Sequence, residues 1–317
     1  MKRRLFLASA LLPAVAQAQQ QPPLIGVMRV NARSSELFEP VFRRDMARLG
    51  WQDGKSYRAQ FLWADGDSSR LPVMARELVK SGATVIVAFG NAATAAAQAA
   101  TKEVPIVGMS DDLVGAGLVP SMARPGGNTT GVSIMGHELD VKRLEILHEL
   151  APEAHRIGVV KHDANAVAGA IQKLEKAAQN LGLALTLVHV GTRDDVAPGL
   201  AAMAAARVEA IQVLPSPFLN SQRATFITRM REMKLPAIYE WPEIVEEGGL
   251  SSYAPRISLC FRHVAVLVSK VLRGAKPADL PIEQPTTFTL AINTGTAQAI
   301  GLHVPESLLL RADLVVD

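Results

Sequence analysis

The chain lacks most of the residues and patterns that would commit it to a specialised class. Cys260 is its only cysteine, which excludes a disulfide framework. No run of residues reaches membrane-spanning length without charges, which excludes a transmembrane helix. An excess of positive charge is missing too, although the formal net charge is +3. Lys2, Arg3 and Arg4 supply that surplus, and without the first 18 residues the basic and acidic counts balance. A polyanion partner such as nucleic acid therefore has no electrostatic footing.

Enzyme signatures are also absent. His137-Glu138 and His148-Glu149 each lack the second histidine of a zincin helix, and no strand ends in a GxGxxG turn. Ser133 follows Gly131 by two residues, but Met135 stands where a nucleophile elbow needs glycine. Arg124-Pro125-Gly126-Gly127-Asn128 is glycine-rich without the lysine of a phosphate loop, and reads as a tight turn. The seven histidines show no metal-ligand spacing. These absences point away from catalysis, a bound metal or a cofactor.

What is present is a globular chain of 317 residues, 49% apolar, which excludes disorder and exceeds what one hydrophobic core usually supports. It begins with an address. The basic Lys2-Arg3-Arg4 precedes an apolar stretch from Leu5 to Val15, and Ala16-Gln17-Ala18 supplies small residues for a signal peptidase. Residues 1–18 are expected to be a signal peptide cleaved before Gln19, delivering the protein to a bacterial periplasm. Arg3-Arg4-Leu5-Phe6-Leu7 also fits the twin-arginine pattern, so that route and the general one both stay open.

Downstream, strand and helix signals alternate. Leu24 to Val30, Tyr57 to Trp63, Thr84 to Phe89 and Val104 to Met109 read as strands. Between them lie helices, the first capped by Ser34 or Ser35 and carrying Phe38, Phe42, Met46 and Leu49 on one stripe. The others run from Leu71 to Lys80 and from Ala92 to Ala100. The alternation restarts past Pro152 with strands at Arg156 to Lys161, Leu183 to Val190, Glu209 to Leu214 and Ala237 to Glu240. Their helices carry Val167, Ile171, Leu174, Ala178 and Leu181, then Val196, Leu200 and Met203, then Phe226, Met230 and Met233. Ile257 to Leu272 is the clearest helix of all. The expected fold is α/β: two doubly wound parallel-sheet lobes joined by a hinge. Lobe 1 is expected over 19–133 and lobe 2 over 134–253, with part of 254–317 returning to lobe 1. The crossings are expected at 131–136 and near 250–253.

Ligands of such sheets bind beyond the carboxyl ends of the strands. The loops there are 29–35, 90–94, 110–112, 162–165, 215–217 and 239–241. Asn91, Ala92, Ala93 and Thr94 open a helix whose free N–H groups suit a carboxylate, although Asn91 as an ordinary cap fits equally well. Asp111 or Asp112 is placed to pair with an ammonium, or to form a turn. Tyr239, Trp241, Tyr253, Phe89 and Phe218 are candidates for apolar walls, or for the core.

Three stretches carry a resemblance. They are Gly115-Ala116-Gly117-Leu118-Val119 leading to Ala123-Arg124-Pro125-Gly126-Gly127-Asn128-Thr129-Thr130-Gly131, Gly248-Gly249-Leu250-Ser251-Ser252-Tyr253, and the run from Gly274 to Thr286 followed by Ile292-Asn293, Gly301-Leu302 and Ala312-Asp313. With these the chain resembles the tryptophan/tyrosine-type substrate-binding proteins of ABC transporters, which are periplasmic binding proteins of type I-like fold. Leu113 replaces the proline usual after the aspartate, and Ala254 the glycine usual after Ser-Tyr. The resemblance implies capture of a small amino-acid-like ligand, aromatic residues included, between two lobes, with delivery to an ABC permease and its ATPase. It implies a monomer that uses no cofactor and performs no reaction. On that footing Asn91, Ala92, Ala93 and Thr94 would hold the carboxylate, and Asp111 or Asp112 the amine. Ser216, Tyr239, Glu240, Ser252 and Tyr253 would close from the other lobe. A sensory protein presenting its solute to a receptor is the alternative, with a two-lobed enzyme behind it.

Overall fold

The computed structural model describes residues 21–31, 33, 37–162 and 169–317. The expected signal peptide, the Ser34/Ser35 cap, Val167 and loop residues 163–165 lie outside the described residues.

The first sheet is built on buried β-branched and aliphatic runs, with the half-buried β2 at one edge. These are β1 (Leu24–Arg29), β2 (Arg58–Trp63), β3 (Ala83–Phe89), β4 (Ile106–Ser110) and β5 (Thr129–Ser133). They pair in the order β2-β1-β3-β4-β5, every pairing parallel. Parallel strands need crossover helices, which bury both faces of the sheet. Three such helices are α1 (Phe38–Arg48), α2 (Leu71–Lys80) and α3 (Asn91–Ala100). The stripe anticipated on α1 is real: Phe38, Phe42 and Met46 are fully buried.

The second sheet takes α4 (Asp140–Leu150), β6 (Arg156–Lys161), α5 (Ala170–Asn180), β7 (Ala184–His189), α6 (Val196–Ala205) and β8 (Ala210–Val213). It continues through α7 (Pro217–Ser221), α8 (Arg223–Met233), β9 (Ala237–Tyr239), α9 (Pro242–Glu246) and β10 (Ser251–Ala254). Next comes α10 (Ile257–Leu272), with the boundaries its periodicity predicts, and then β11 (Thr289–Asn293), α11 (Thr294–Ile300), α12 (Glu306–Arg311) and β12 (Leu314–Val316). Strand order is β12-β11-β10-β9-β8-β6-β7, parallel except where β10 meets β11. The two doubly wound lobes expected from the alternation are present.

The crossings differ in detail from expectation. Thr129–Ser133 is an edge strand of the first sheet, and the chain passes over only after it, through 134–139. Met135 there has φ +56, in the left-handed region, which is uncommon for a side chain of its size. Its N–H donates to the Asp111 carbonyl at 3.0 Å, and that of Ile134 to Ser110 at 2.9 Å, so the crossing is strapped to the end of β4. Ser251–Ala254 likewise belongs to the second sheet, and the return follows at 255–256.

Helix α10 then packs back on the first sheet. Phe261 meets Phe38 edge-on, centroids 5.1 Å apart, and Ser269 Oγ accepts from Trp51 Nε1 at 2.9 Å. Residues 280–283 run beside β5, with Ser133 N–H donating to the Glu283 carbonyl at 2.9 Å. A third crossing at 284–288 carries the chain into β11. Helices α4, α7, α9, α11 and α12 escaped the sequence reading, as did strands β11 and β12. Helix α4 mixes buried Asp140 and Arg143 with its leucines, which blurs the apolar stripe. Helices α7 and α9 each span five residues, too short to show a period.

Candidate functional site

The carboxyl ends of both sheets face one another, and a cavity with about 520 Å³ of space between protein atoms lies where they meet. From the first lobe come Arg29 at the end of β1 and Asn31 just past it, Phe89 and Gly90 at the end of β3, and Met109, Ser110 and Asp111 at the end of β4. From the second come Ser216 and the flanking prolines after β8, and Glu240 with Trp241 after β9. Phe261 of α10 supplies a further ring. The lobes touch at the mouth, where Asn31 Nδ2 donates to the Pro217 carbonyl at 3.0 Å.

Glycine is needed at two points of this wall. Gly90 turns β3 into α3 with φ +88, a conformation that costs a side chain dearly, and an added Cβ there would stand 3.3 Å from Pro217 across the lobes. Gly136 lies in the first crossing. A Cβ on it would collide with the Asp111 carboxylate and meet Pro215 Cβ at 3.0 Å.

Charged side chains of both signs line the cavity. Arg29 is 5% exposed, and its guanidinium lies over the Phe89 ring at 4.3 Å, with Phe38 and Phe261 at 5.7 Å. Such stacking holds a buried cation by attraction to the ring faces. The acidic groups are Asp111 and Glu240, backed by a network on the hinge. Asp111 Oδ1 accepts the His137 N–H at 3.0 Å, and Oδ2 lies 3.6 Å from His137 Nε2. His137 Nδ1 is 2.8 Å from Asp140 Oδ2, and Asp140 Oδ1 accepts from Arg143 Nη1 at 2.8 Å. Arg143 is fully buried and also donates to the carbonyls of Gly136 at 2.7 Å and Tyr253 at 2.9 Å.

Burial raises the Asp111 carboxyl above its ordinary range, with His137 opposing. Glu240 is pushed up to about 8, first by burial and then by Asp111 and Asp140, against the pull of Arg143 and His137. Its Oε1 is buried without a hydrogen-bond partner among the described residues.

Three of the eleven expected site residues line the cavity: Asp111, Ser216 and Glu240. Ala92 lines a smaller neighbouring recess with Gly90, His162 and Phe218. The rest sit elsewhere. Asn91 Oδ1 accepts from Ser110 Oγ, and the cap of α3 is Gly90. Ala93 is buried in the core of the first lobe. The Thr94 hydroxyl is buried against the Gly90 carbonyl at 3.0 Å. Asp112 turns away to accept the N–H groups of Val114 and Gly115 at 3.0 and 2.8 Å, the turn-forming role that was the alternative for it. Tyr239 is a core ring whose hydroxyl pKa burial raises. Ser252 is fully buried in β10, away from the cavity. Tyr253 stacks on Phe288 at 6.1 Å, and only its carbonyl joins the hinge network.

Arg29 and Asn31 were within a candidate loop but were not singled out. A cation ending a buried strand is the signal that could have found Arg29. Phe261 looked like one more core residue of α10, and nothing local marks it.

The family model for ABC transporter substrate binding proteins matches residues 41–316. A tyrosine-binding protein from Clostridioides difficile is 26% identical over 266 residues, which is 83% of this chain and 76% of that protein. A Streptococcus pneumonia ABC domain in complex with L-Trp is 27% identical, with TM-score 0.84 over 93% of this chain and all of that one. A Vibrio cholerae conserved domain protein, 24% identical with TM-score 0.85 and the same coverages, shares the fold.

Proposed function

This chain belongs to the ABC transporter substrate-binding protein family, and from that premise we propose that it captures an amino acid, aromatic ones foremost, in the cavity between its lobes. The observation that carries the reading is a cavity holding one guanidinium, two carboxyl groups and aromatic rings, the complement of an aromatic zwitterion. The carboxylate goes to Arg29 and Asn31, and the ammonium to Asp111 and Glu240. Phe89, Trp241 and Phe261 supply apolar surface for the side chain. Ser216 caps α7, accepting the N–H groups of Phe218 and Leu219, and so shapes the opposite wall. The similarity to a tyrosine-binding protein and to a chain solved with L-Trp supports an aromatic ligand.

The biological role we infer is delivery of that solute to an ABC permease and its ATPase by a monomer exported to the periplasm. Export rests on the pattern of residues 1–18.

Titration calorimetry tests the ligand class. L-tryptophan and L-tyrosine are expected to bind with one-to-one stoichiometry. Indole-3-propionate, which lacks the amine, and tryptamine, which lacks the carboxylate, should each bind about 10- to 150-fold more weakly, the worth of one charge-assisted hydrogen bond. Equal affinity for L-tryptophan and either analogue would contradict the proposal.

A further inference from the structure

The two carboxyl groups in the cavity are not equivalent. Asp111 has a backbone N–H on one oxygen and the His137 ring near the other. Glu240 is 6% exposed, and its Oε1 has no hydrogen-bond partner among the described residues. Two buried carboxylates lining one cavity do not readily ionise together, and the one without donors is the one that keeps a proton. We propose that Glu240 is a carboxylic acid in the empty protein and exchanges its proton for the ligand's ammonium, so that the cavity selects protonated amines by replacing one positive charge with another.

This inference rests on the amino-acid reading above and adds the residue that sets selectivity and the proton released with capture. The groups facing Glu240 set the balance. Asp111 after β4 and Asp140 on α4 disfavour its charge, while Arg143 on α4 and His137 in the crossing favour it. Cys260 on α10 lies close enough for Glu240 to raise its thiol, Tyr239 precedes it on β9, and Arg29 lines the same cavity. When an ammonium enters, a full positive charge arrives beside the carboxyl group and lowers its pKa by about 1–3 units. The Glu240 O–H bond then breaks, the proton passes to buffer, and the carboxylate stays paired with the ammonium. Starting from a pKa of about 8, capture at pH 7 should release between about 0.4 and 0.9 proton per ligand.

The test is calorimetry of L-tryptophan at pH 7 in buffers of different ionisation enthalpy, on the wild type and on Glu240→Gln, which keeps the side chain's shape. Release in that range in the wild type and none in the variant supports the exchange. The wild-type affinity should also rise up to tenfold between pH 6 and 7 while that of E240Q stays level. Release that persists in E240Q, or an enthalpy independent of buffer in the wild type, overturns it.

A second readout needs no ligand. The unfolded Glu240 ionises above pH 4.5, whereas the folded group keeps its proton to about 8, so the empty wild type must lose stability relative to E240Q as pH rises from 5 to 8. A Tm difference that does not widen across that window overturns the protonated state. Absence of any amino-acid binding alongside a widening difference would instead bring down the functional reading, and the exchange with it.

Discussion

Replacing Arg143 with methionine probes the hinge most sharply. The guanidinium is wholly buried and joins three segments: the first crossing through Gly136, α4 through Asp140, and the end of β10 through Tyr253. Methionine fills the volume of the stem but leaves the Asp140 carboxylate buried beside His137, takes the guanidinium donor from the Tyr253 carbonyl, and leaves the Gly136 carbonyl with the Leu139 N–H at 3.3 Å. Removing one partner of a buried ion pair costs about 3–5 kcal/mol. At roughly 2–4 °C per kcal/mol, Tm should fall by about 6–20 °C. Thermal and urea unfolding followed by circular dichroism measure it. The companion variant Asp140→Asn, Arg143→Met removes the stranded charge, and is expected to recover about 1–3 kcal/mol of the loss. A single variant within 1 kcal/mol of wild type, or a double variant no more stable than the single, would refute the account of the hinge as a buried ionic pin.

Other outcomes follow from the cavity and its surroundings. Arg29→Met should weaken L-tryptophan binding about 10- to 150-fold while leaving tryptamine affinity unchanged, since tryptamine has no carboxylate to lose; competition calorimetry separates the two. Gly136→Ala pushes a methyl group into the Asp111 carboxylate, so affinity should drop about tenfold with a destabilisation of roughly 1–3 kcal/mol; titration and unfolding of one variant check both. Cys260, whose thiol burial pushes up to about 12, should resist a thiol reagent at pH 8 until the protein unfolds, as mass spectrometry would show. Exported protein should begin at Gln19, read by N-terminal sequencing.

Much of the architecture was legible because its signals are local. Strands such as β3 and β6 are bounded apolar runs, and α10 shows its period over sixteen residues. Loops at strand ends could be enumerated from topology alone, and the cavity is indeed built from them. What a strand's end does not reveal is which way each side chain points. Asp111 and Asp112 look interchangeable in the chain, yet one faces the cavity and the other closes a turn on Val114 and Gly115. Thr94 looked available for a ligand, but its hydroxyl is bound to the preceding helical turn. The hinge network was hidden for a different reason. Asp140 and Arg143 come from one helix, His137 from the crossing, and their partners at Gly136 and Tyr253 are 117 residues apart. Only the pairing of β10 beside β9 brings that carbonyl to the guanidinium.

The account stands on a zwitterion lying across the cavity with its charges at opposite ends. A crystal structure of the protein with bound L-tryptophan tests this most directly. The account predicts the ammonium within about 3 Å of Asp111 or Glu240, the carboxylate at Arg29, and the indole among Phe89, Trp241 and Phe261. An indole at Asp111 and Glu240, with the ligand's polar groups turned to solvent, would contradict it.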